Sequence, residues 1–147
     1  MGRVEWWLVL LLRLTAVGCA LAIFAVFMPR DWMAWCHDRI VPGGFPQGPV
    51  IDYLARSVSL FYAGLAVILW LAAADVRRYA PLIRLLAIAG IVFGVIITTS
   101  NVLTGMPRFW QVGEALSIFP ICIIVLWLRR RLVNEDPKGS DAHAADR

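Results

Sequence analysis

Apolar residues fill four long stretches of the chain, and short polar segments separate them. A helix needs about 20 mostly apolar residues to cross the hydrocarbon core of a bilayer. Stretches of sufficient length cover residues 6–28, 53–74, 81–104 and 109–128. The pattern therefore predicts an all-α membrane protein, in which four transmembrane helices run up and down through the bilayer as one bundle.

Composition agrees with this class. The 147 residues are 61% hydrophobic and 16% charged, and the mean hydropathy of +0.74 excludes an ordinary soluble domain. The spans and their links occupy residues 1–132, which we predict to form a single membrane domain. From residue 133 onward the sequence is polar and contains Pro137 and Gly139. We therefore predict a disordered tail over residues 133–147.

All seven tryptophans lie near the predicted ends of the spans. Indole rings settle at the headgroup level of a bilayer because they are apolar apart from one polar N–H group. This placement supports the predicted boundaries. The residues are Trp6, Trp7, Trp32, Trp35, Trp70, Trp110 and Trp127.

The distribution of Lys and Arg among the short links predicts the orientation. Most of these residues fall on one side of the predicted bundle, and cytoplasmic links are rich in Lys and Arg. We therefore expect both termini in the cytoplasm and the chain in the cell (inner) membrane. The net charge of +4 suits anionic lipid headgroups, whereas the sequence has no basic groove or RNA-binding motif and predicts no nucleic-acid partner. The basic residues on the cytoplasmic side are Arg3, Arg77, Arg78, Arg84, Arg129, Arg130, Arg131 and Lys138.

The link between the first two spans predicts an additional element. Apolar residues recur at near-helical spacing within residues 30–41, and a segment rich in Pro and Gly follows over residues 42–49. This pattern predicts a short amphipathic helix on the outer surface of the membrane. The helix either anchors the loop or covers a pocket, in which case Trp35 and His37 are the lid residues.

Counted along each span at a helix rise of about 1.5 Å per residue, Arg56 and Glu114 lie at matching depth in the outer third of the predicted bundle. Ionisable residues at membrane depth are costly and commonly mark functional sites. Two interpretations are open: a salt bridge that fixes helix register, or an outward-facing polar pocket with Trp110 in its wall. Thr98 and Asn101 in the third span lie within about one helical turn of the same depth. The candidate ligand-binding residues are Arg56, Tyr62, Thr98, Asn101, Gln111 and Glu114.

The sequence does not predict catalytic residues or metal ligands. Cys19, Cys36 and Cys122 lack the CxxC spacing of redox and zinc motifs. A phosphate-binding loop, a dinucleotide fingerprint and a serine-nucleophile elbow are also missing from the sequence. No cofactor is predicted, although a quinone or a lipid would suit a pocket at Arg56 and Glu114.

The segment Leu11-Leu12-Arg13-Leu14-Thr15-Ala16-Val17-Gly18, followed by three further spans, resembles the opening of the DoxX-like family of small four-span bacterial membrane proteins. The resemblance implies a link to quinone-associated or thiol-redox complexes, and Arg13 is the one residue to which it assigns a role. The chain lacks the acidic residue often expected in the second span, within residues 60–64.

Three functions fit the sequence. The first is a non-catalytic accessory or assembly subunit of a larger membrane complex. The second is binding or transport of a small amphiphile, a quinone or a lipid headgroup in the Arg56/Glu114 pocket. The third is a membrane enzyme with Glu114 as acid/base and Arg56 holding an anion. Small residues spaced by four, including Gly90 and Gly94, predict close helix packing within the chain or in a homo-oligomer.

Overall fold

The computed structural model describes residues 2–40, 44–46 and 48–135. This part of the chain is helical and contains no strand. Its six helices are α1 (Arg3–Ala20), α2 (Ile23–Phe27), α3 (Arg30–Ile40), α4 (Pro49–Ala74), α5 (Ala80–Leu103) and α6 (Arg108–Glu135).

The four predicted spans are confirmed as helices long and apolar enough to cross a membrane. They cover Arg3–Phe27, Pro49–Ala74, Ala80–Leu103 and Arg108–Asn134. By length and composition the chain is therefore an integral membrane protein. Its single-domain organisation and the orientation of its termini stay predictions.

The last helix extends past the predicted end of its span. Residues 133–135, which the sequence assigned to the disordered tail, continue α6, and the rest of that predicted tail lies outside the described residues. The guanidinium of Arg131 lies 4.2 Å from the ring centroid of Trp127, one helical turn earlier. Such i, i+4 contacts and the good helix propensity of Arg favour continuation.

The first span contains a break that the sequence does not predict. Between α1 and α2, Leu21 and Ala22 form a turn in which the Ala22 N–H donates to Cys19 O at 3.2 Å. This three-residue spacing is that of a tighter 3₁₀ turn. Neither Gly nor Pro occurs at the break. The end of α2 is explained by Pro29, since the residue before a proline favours an extended conformation and Met28 adopts φ −67° and ψ 131°.

The described residues between 13 and 71 form one compact unit. In this unit α4 runs antiparallel to the α1–α2 span. The guanidinium of Arg13 lies 5.4 Å from the ring centroid of Trp70 near the end of α4, whereas Arg30 pairs with Asp52 near the start of α4. The predicted helix after the first span is present as α3, and its position on the membrane surface stays a prediction. The buried apolar residues of the unit are Ala16, Met33, Ala66 and Leu69.

The described residues before 13 and from 72 onward form the second unit, in which α5 and α6 form an antiparallel hairpin. A Cβ added at Gly94 would lie 3.0 Å from Ile118 Cγ2, and one at Gly90 would lie 2.7 Å from Cys122 Sγ. The missing side chains therefore let the helix backbones approach closely. The predicted packing role of Gly90 and Gly94 within the chain is confirmed. Gly105, with φ +71°, supplies the left-handed conformation needed in the connecting turn.

Packing along this hairpin is uneven. Ile83 and Ala87 near the start of α5 are buried, as are Val125, Leu128 and Leu132 near the end of α6. Toward the connecting turn, the buried side chain is that of Asn101, which is polar. The unit therefore has its apolar core at one end and its polar cluster at the other.

Candidate functional site

The predicted site residues belong to two different compact units. Arg56, Tyr62, Trp35 and His37 belong to the unit of residues 13–71. Thr98, Asn101, Gln111 and Glu114 belong to the other unit, and each set is described by itself. The pairing of Arg56 with Glu114 stays a prediction.

Arg56 caps the end of the first span. Its Nη1 donates to Val26 O at 2.6 Å, and its Nη2 donates to Met28 O at 3.3 Å. The last carbonyls of a helix have no partner within the helix, and a cation near them interacts favourably with the helix dipole. Arg56 therefore supplies both hydrogen-bond donors and a charge where α2 ends.

Beside this cap, Arg30 and Asp52 form an ion pair with 3.1 Å between Nη1 and Oδ2. Asp52 lies in the first turn of α4, where a carboxylate interacts favourably with the positive end of the helix dipole. Its other oxygen, Oδ1, is buried without a hydrogen-bond partner among the described residues. Asp52 precedes Arg56 by four residues, so the sequence already placed it on the same polar face of the second span, whereas it gave Arg30 no role in a site.

The proposed lid residues differ in exposure. Trp35 is 60% exposed, and the guanidinium of Arg39 lies 4.6 Å from its ring centroid. His37 is half-buried and contacts the Phe45 ring edge-on, with 5.4 Å between centroids. These contacts arrange α3 and the following loop locally, and a lid function stays a prediction.

Asn101 and Glu114 are brought together between α5 and α6. Asn101 is 8% exposed and donates from Nδ2 to Glu114 Oε2 at 2.5 Å. These two residues, which the sequence placed at similar depth, thus contact each other within one unit. The bond holds the Glu114 carboxylate through one of its two oxygens.

Three neighbouring polar groups complete the turn end of the hairpin. Gln111 Nε2 donates to Met106 O at 2.7 Å, so this side chain closes the connecting turn. Ser117 Oγ donates to the backbone oxygen of Glu114 at 2.8 Å. Thr98 Oγ1 is buried and has no hydrogen-bond partner among the described residues.

A hollow of about 340 Å³ lies on the surface of α6. Its lining residues are Phe109, Trp110, Gly113, Glu114 and Ser117. All five occupy one helix face, because residues spaced by three and four are neighbours. The missing side chain at Gly113 opens the space. The sequence indicated Glu114 and the Trp110 wall, while Phe109 and Gly113 were missed, although their i, i+4 spacing was a usable signal.

Other chemistry is sparse in the described ranges. They contain no group of three or more His, Cys, Asp or Glu residues that could hold a metal ion. Arg13, the residue singled out by the DoxX-like resemblance, is exposed and stacks on Trp70. A ring at the predicted membrane interface is a favourable contact for a cation.

No protein-family model, curated protein or solved structure matches this chain. The resemblance to DoxX-like proteins therefore stays an expectation carried by residues 11–18.

Proposed function

We propose that this protein is a non-catalytic accessory or assembly subunit of a larger membrane complex. The observation that carries the proposal is the exposure of helical glycines on three spans. Apart from the chain neighbours and the backbone of the same helix, no described atom lies within 4 Å of a Cβ added at Gly18, Gly64 or Gly113, whereas Gly90 and Gly94 face side chains of α6. Small residues are enriched where transmembrane helices meet, because they allow close approach of the backbones.

Exposed apolar side chains do not by themselves indicate a protein partner, whereas exposed glycines on a span favour one. Between 11% and 22% of the residues in the most apolar window of each span are buried. Lipid tails cover exposed apolar side chains as well as another protein does. Open glycines gain more from a partner helix that packs against the backbone, and so their placement favours a protein partner.

We further propose that the four spans alternate in direction as an up-down bundle, with both termini in the cytoplasm and α3 on the outer surface of a bacterial inner membrane. The support is the concentration of Arg in the links at Arg77 and Arg78 and after Trp127. A cysteine placed in the tail should react with a membrane-impermeant maleimide only after the cells are opened. Labelling of the tail in intact cells would contradict this orientation.

Native mass spectrometry of the protein, extracted gently from its own membranes, tests the subunit role. We expect a stoichiometric additional protein mass that Gly64→Leu reduces, because the leucine occupies the contact face. The matched control is Ala89→Leu, since Ala89 is another small exposed residue of a span. A bare wild-type chain would contradict the proposal, whereas a partner mass that survives Gly64→Leu would show that Gly64 lies outside the contact face. An additional mass equal to that of the chain would identify a homo-oligomer instead.

The hollow on α6 favours a second function, the binding of a small amphiphile, a quinone or a lipid headgroup. Its volume of about 340 Å³ lies at the low end of the ~300–1,000 Å³ that small-molecule sites occupy. Glu114 is the ionisable group in its lining. A role in transport would require this site to open to both sides of the membrane in turn. In native mass spectrometry, a retained small mass that Glu114→Gln removes would support binding.

The enzyme alternative receives less support from this geometry. With Glu114 as acid/base, a reaction also needs a group that stabilises developing charge. Among the described residues, Arg56 was the candidate for that role, and its guanidinium donates to Val26 O and Met28 O. These hydrogen bonds give Arg56 a structural task that needs no substrate.

A further inference from the structure

The charge and the aromatic side chains of the residues that line the hollow on α6 determine which class of ligand it favours. Two aromatic side chains, Phe109 and Trp110, form one part of its wall, and the Glu114 carboxyl and the Ser117 hydroxyl form the rest around Gly113. The residues that line it include no Lys, Arg or His. Its ionisable group therefore carries a negative charge when ionised, and its aromatic faces also attract cations.

Local hydrogen bonds reinforce this preference. The Ser117 hydroxyl donates a hydrogen bond to the Glu114 backbone oxygen, so the lone pairs of Oγ remain available as acceptors. Asn101 orients the Glu114 carboxyl by donating to Oε2. The polar part of the lining thus consists of acceptor oxygens beside a mainly apolar, aromatic wall, and an anionic ligand would find no cationic side chain there.

We infer that this hollow binds a lipophilic organic cation, with the positive charge of a quaternary ammonium or protonated amine placed between Glu114 and the rings of Phe109 and Trp110. A hard inorganic cation is disfavoured, because Ca²⁺ takes about 6–8 oxygen ligands and the lining supplies few. The apolar wall and the position on a transmembrane helix select an amphiphilic ligand. This inference deepens the binding function and does not depend on the subunit role.

The charge has two chemical sources. It belongs either to the headgroup ammonium of a phospholipid or to a free amphiphilic amine. Both present the same cation to the same carboxylate. The lipid composition around the protein can be varied to distinguish them.

The test is binding of tetraphenylphosphonium to the purified full chain in phosphatidylglycerol nanodiscs, measured by isothermal titration calorimetry against empty nanodiscs. We expect saturable binding at one site per chain. Glu114→Gln should weaken it by about tenfold or more, and Trp110→Ala by about three- to tenfold. Gly113→Leu should abolish it, because the leucine side chain occupies the hollow.

Matched controls separate binding from folding. Glu5→Gln removes a carboxylate that pairs with Arg77, and Trp127→Ala removes another tryptophan of α6, so both should leave affinity unchanged. Glu114→Gln keeps an oxygen that accepts from Asn101, and Gly113 has open space at its Cβ position. All variants should therefore keep the wild-type unfolding temperature within a few degrees, about the effect of a surface change.

In nanodiscs that keep the phosphatidylglycerol fraction constant and replace diacylglycerol by phosphatidylcholine, weaker tetraphenylphosphonium binding at equal surface charge would identify the headgroup ammonium as a competing ligand, and unchanged binding would assign the site to a free amphiphilic amine.

The inference would be overturned by the absence of saturable binding to the wild type, or by equal binding to Glu114→Gln. A retained anionic or neutral small mass that depends on Glu114 would also reject the cation while leaving the binding function intact. Because these measurements use the isolated chain, the subunit role can fail without affecting them.

Discussion

Arg56 and Glu114 are both ionisable residues within spans, but their surroundings differ. Arg56 donates to two backbone carbonyls at the end of α2. Glu114 accepts one hydrogen bond from Asn101 and borders an open hollow. A guanidinium that satisfies helix-end carbonyls has a structural explanation, whereas a carboxylate beside an aromatic-lined space has capacity for a ligand. The partners of a charged group in a membrane helix thus indicate its role better than its depth does.

The largest effect expected from this comparison is on Arg56. Arg56→Ala leaves Val26 O and Met28 O without these donors and removes a charge from a helix end. We expect a loss of about 1–3 kcal/mol in the free energy of unfolding. Thermal unfolding in nanodiscs measures it.

The control for this loss is Arg39→Ala, which removes an arginine that stacks on Trp35 and should change stability by less than about 0.5 kcal/mol. Arg56→Lys should lie between wild type and Arg56→Ala, because lysine keeps the charge without the planar fork of donors. Equal stability of Arg56→Ala and wild type would show that the cap is dispensable.

A smaller effect is expected at the Asn101–Glu114 contact. Asn101→Leu removes the donor to a partly buried carboxyl and should cost about 1–2 kcal/mol. Glu114→Gln keeps an acceptor and should cost less than about 0.6 kcal/mol, and so less than Arg56→Ala.

The coupling between the two residues can be measured directly. A double-mutant cycle of Asn101→Leu and Glu114→Leu should give an interaction energy of about 0.6–1.7 kcal/mol in unfolding experiments. A coupling near zero would mean that the hydrogen bond contributes nothing to the α5–α6 hairpin.

The smallest effect is expected at the Arg30–Asp52 ion pair, whose side chains are 37% and 25% exposed. Partly exposed pairs contribute roughly 0.2–1 kcal/mol. Asp52→Asn should cost more than Arg30→Gln, since it also removes a negative charge from the first turn of α4. Unfolding in high salt should reduce the difference between Arg30→Gln and wild type, and a salt-independent difference would argue against an electrostatic contribution.

Hydrophobic length predicted the spans, and tryptophan placement supported their ends. The prediction that Asn101 and Glu114 share a depth succeeded because helix rise and a tight turn at Gly105 fix the register of neighbouring helices. The backbone carbonyls that accept hydrogen bonds from Arg56 could not be predicted in the same way. A hydrogen bond from a side chain to a helix-end carbonyl leaves no recognisable pattern of residues in the sequence. The break at Leu21 and Ala22 was also missed, since it contains no helix-breaking residue.

The uneven packing of the α5–α6 hairpin has a consequence for its local opening. Apolar side chains bury the end that contains Ile83 and Leu132, whereas the end near Gly105 rests on polar contacts. Regions with few buried apolar contacts open at lower free energy than the global unfolding. In detergent, amide hydrogens of residues 98–117 should therefore exchange with deuterium sooner than those of residues 82–90 and 122–132. A ligand bound in the hollow would slow that exchange. The exchange rate of residues 98–117 would therefore report whether the hollow is occupied.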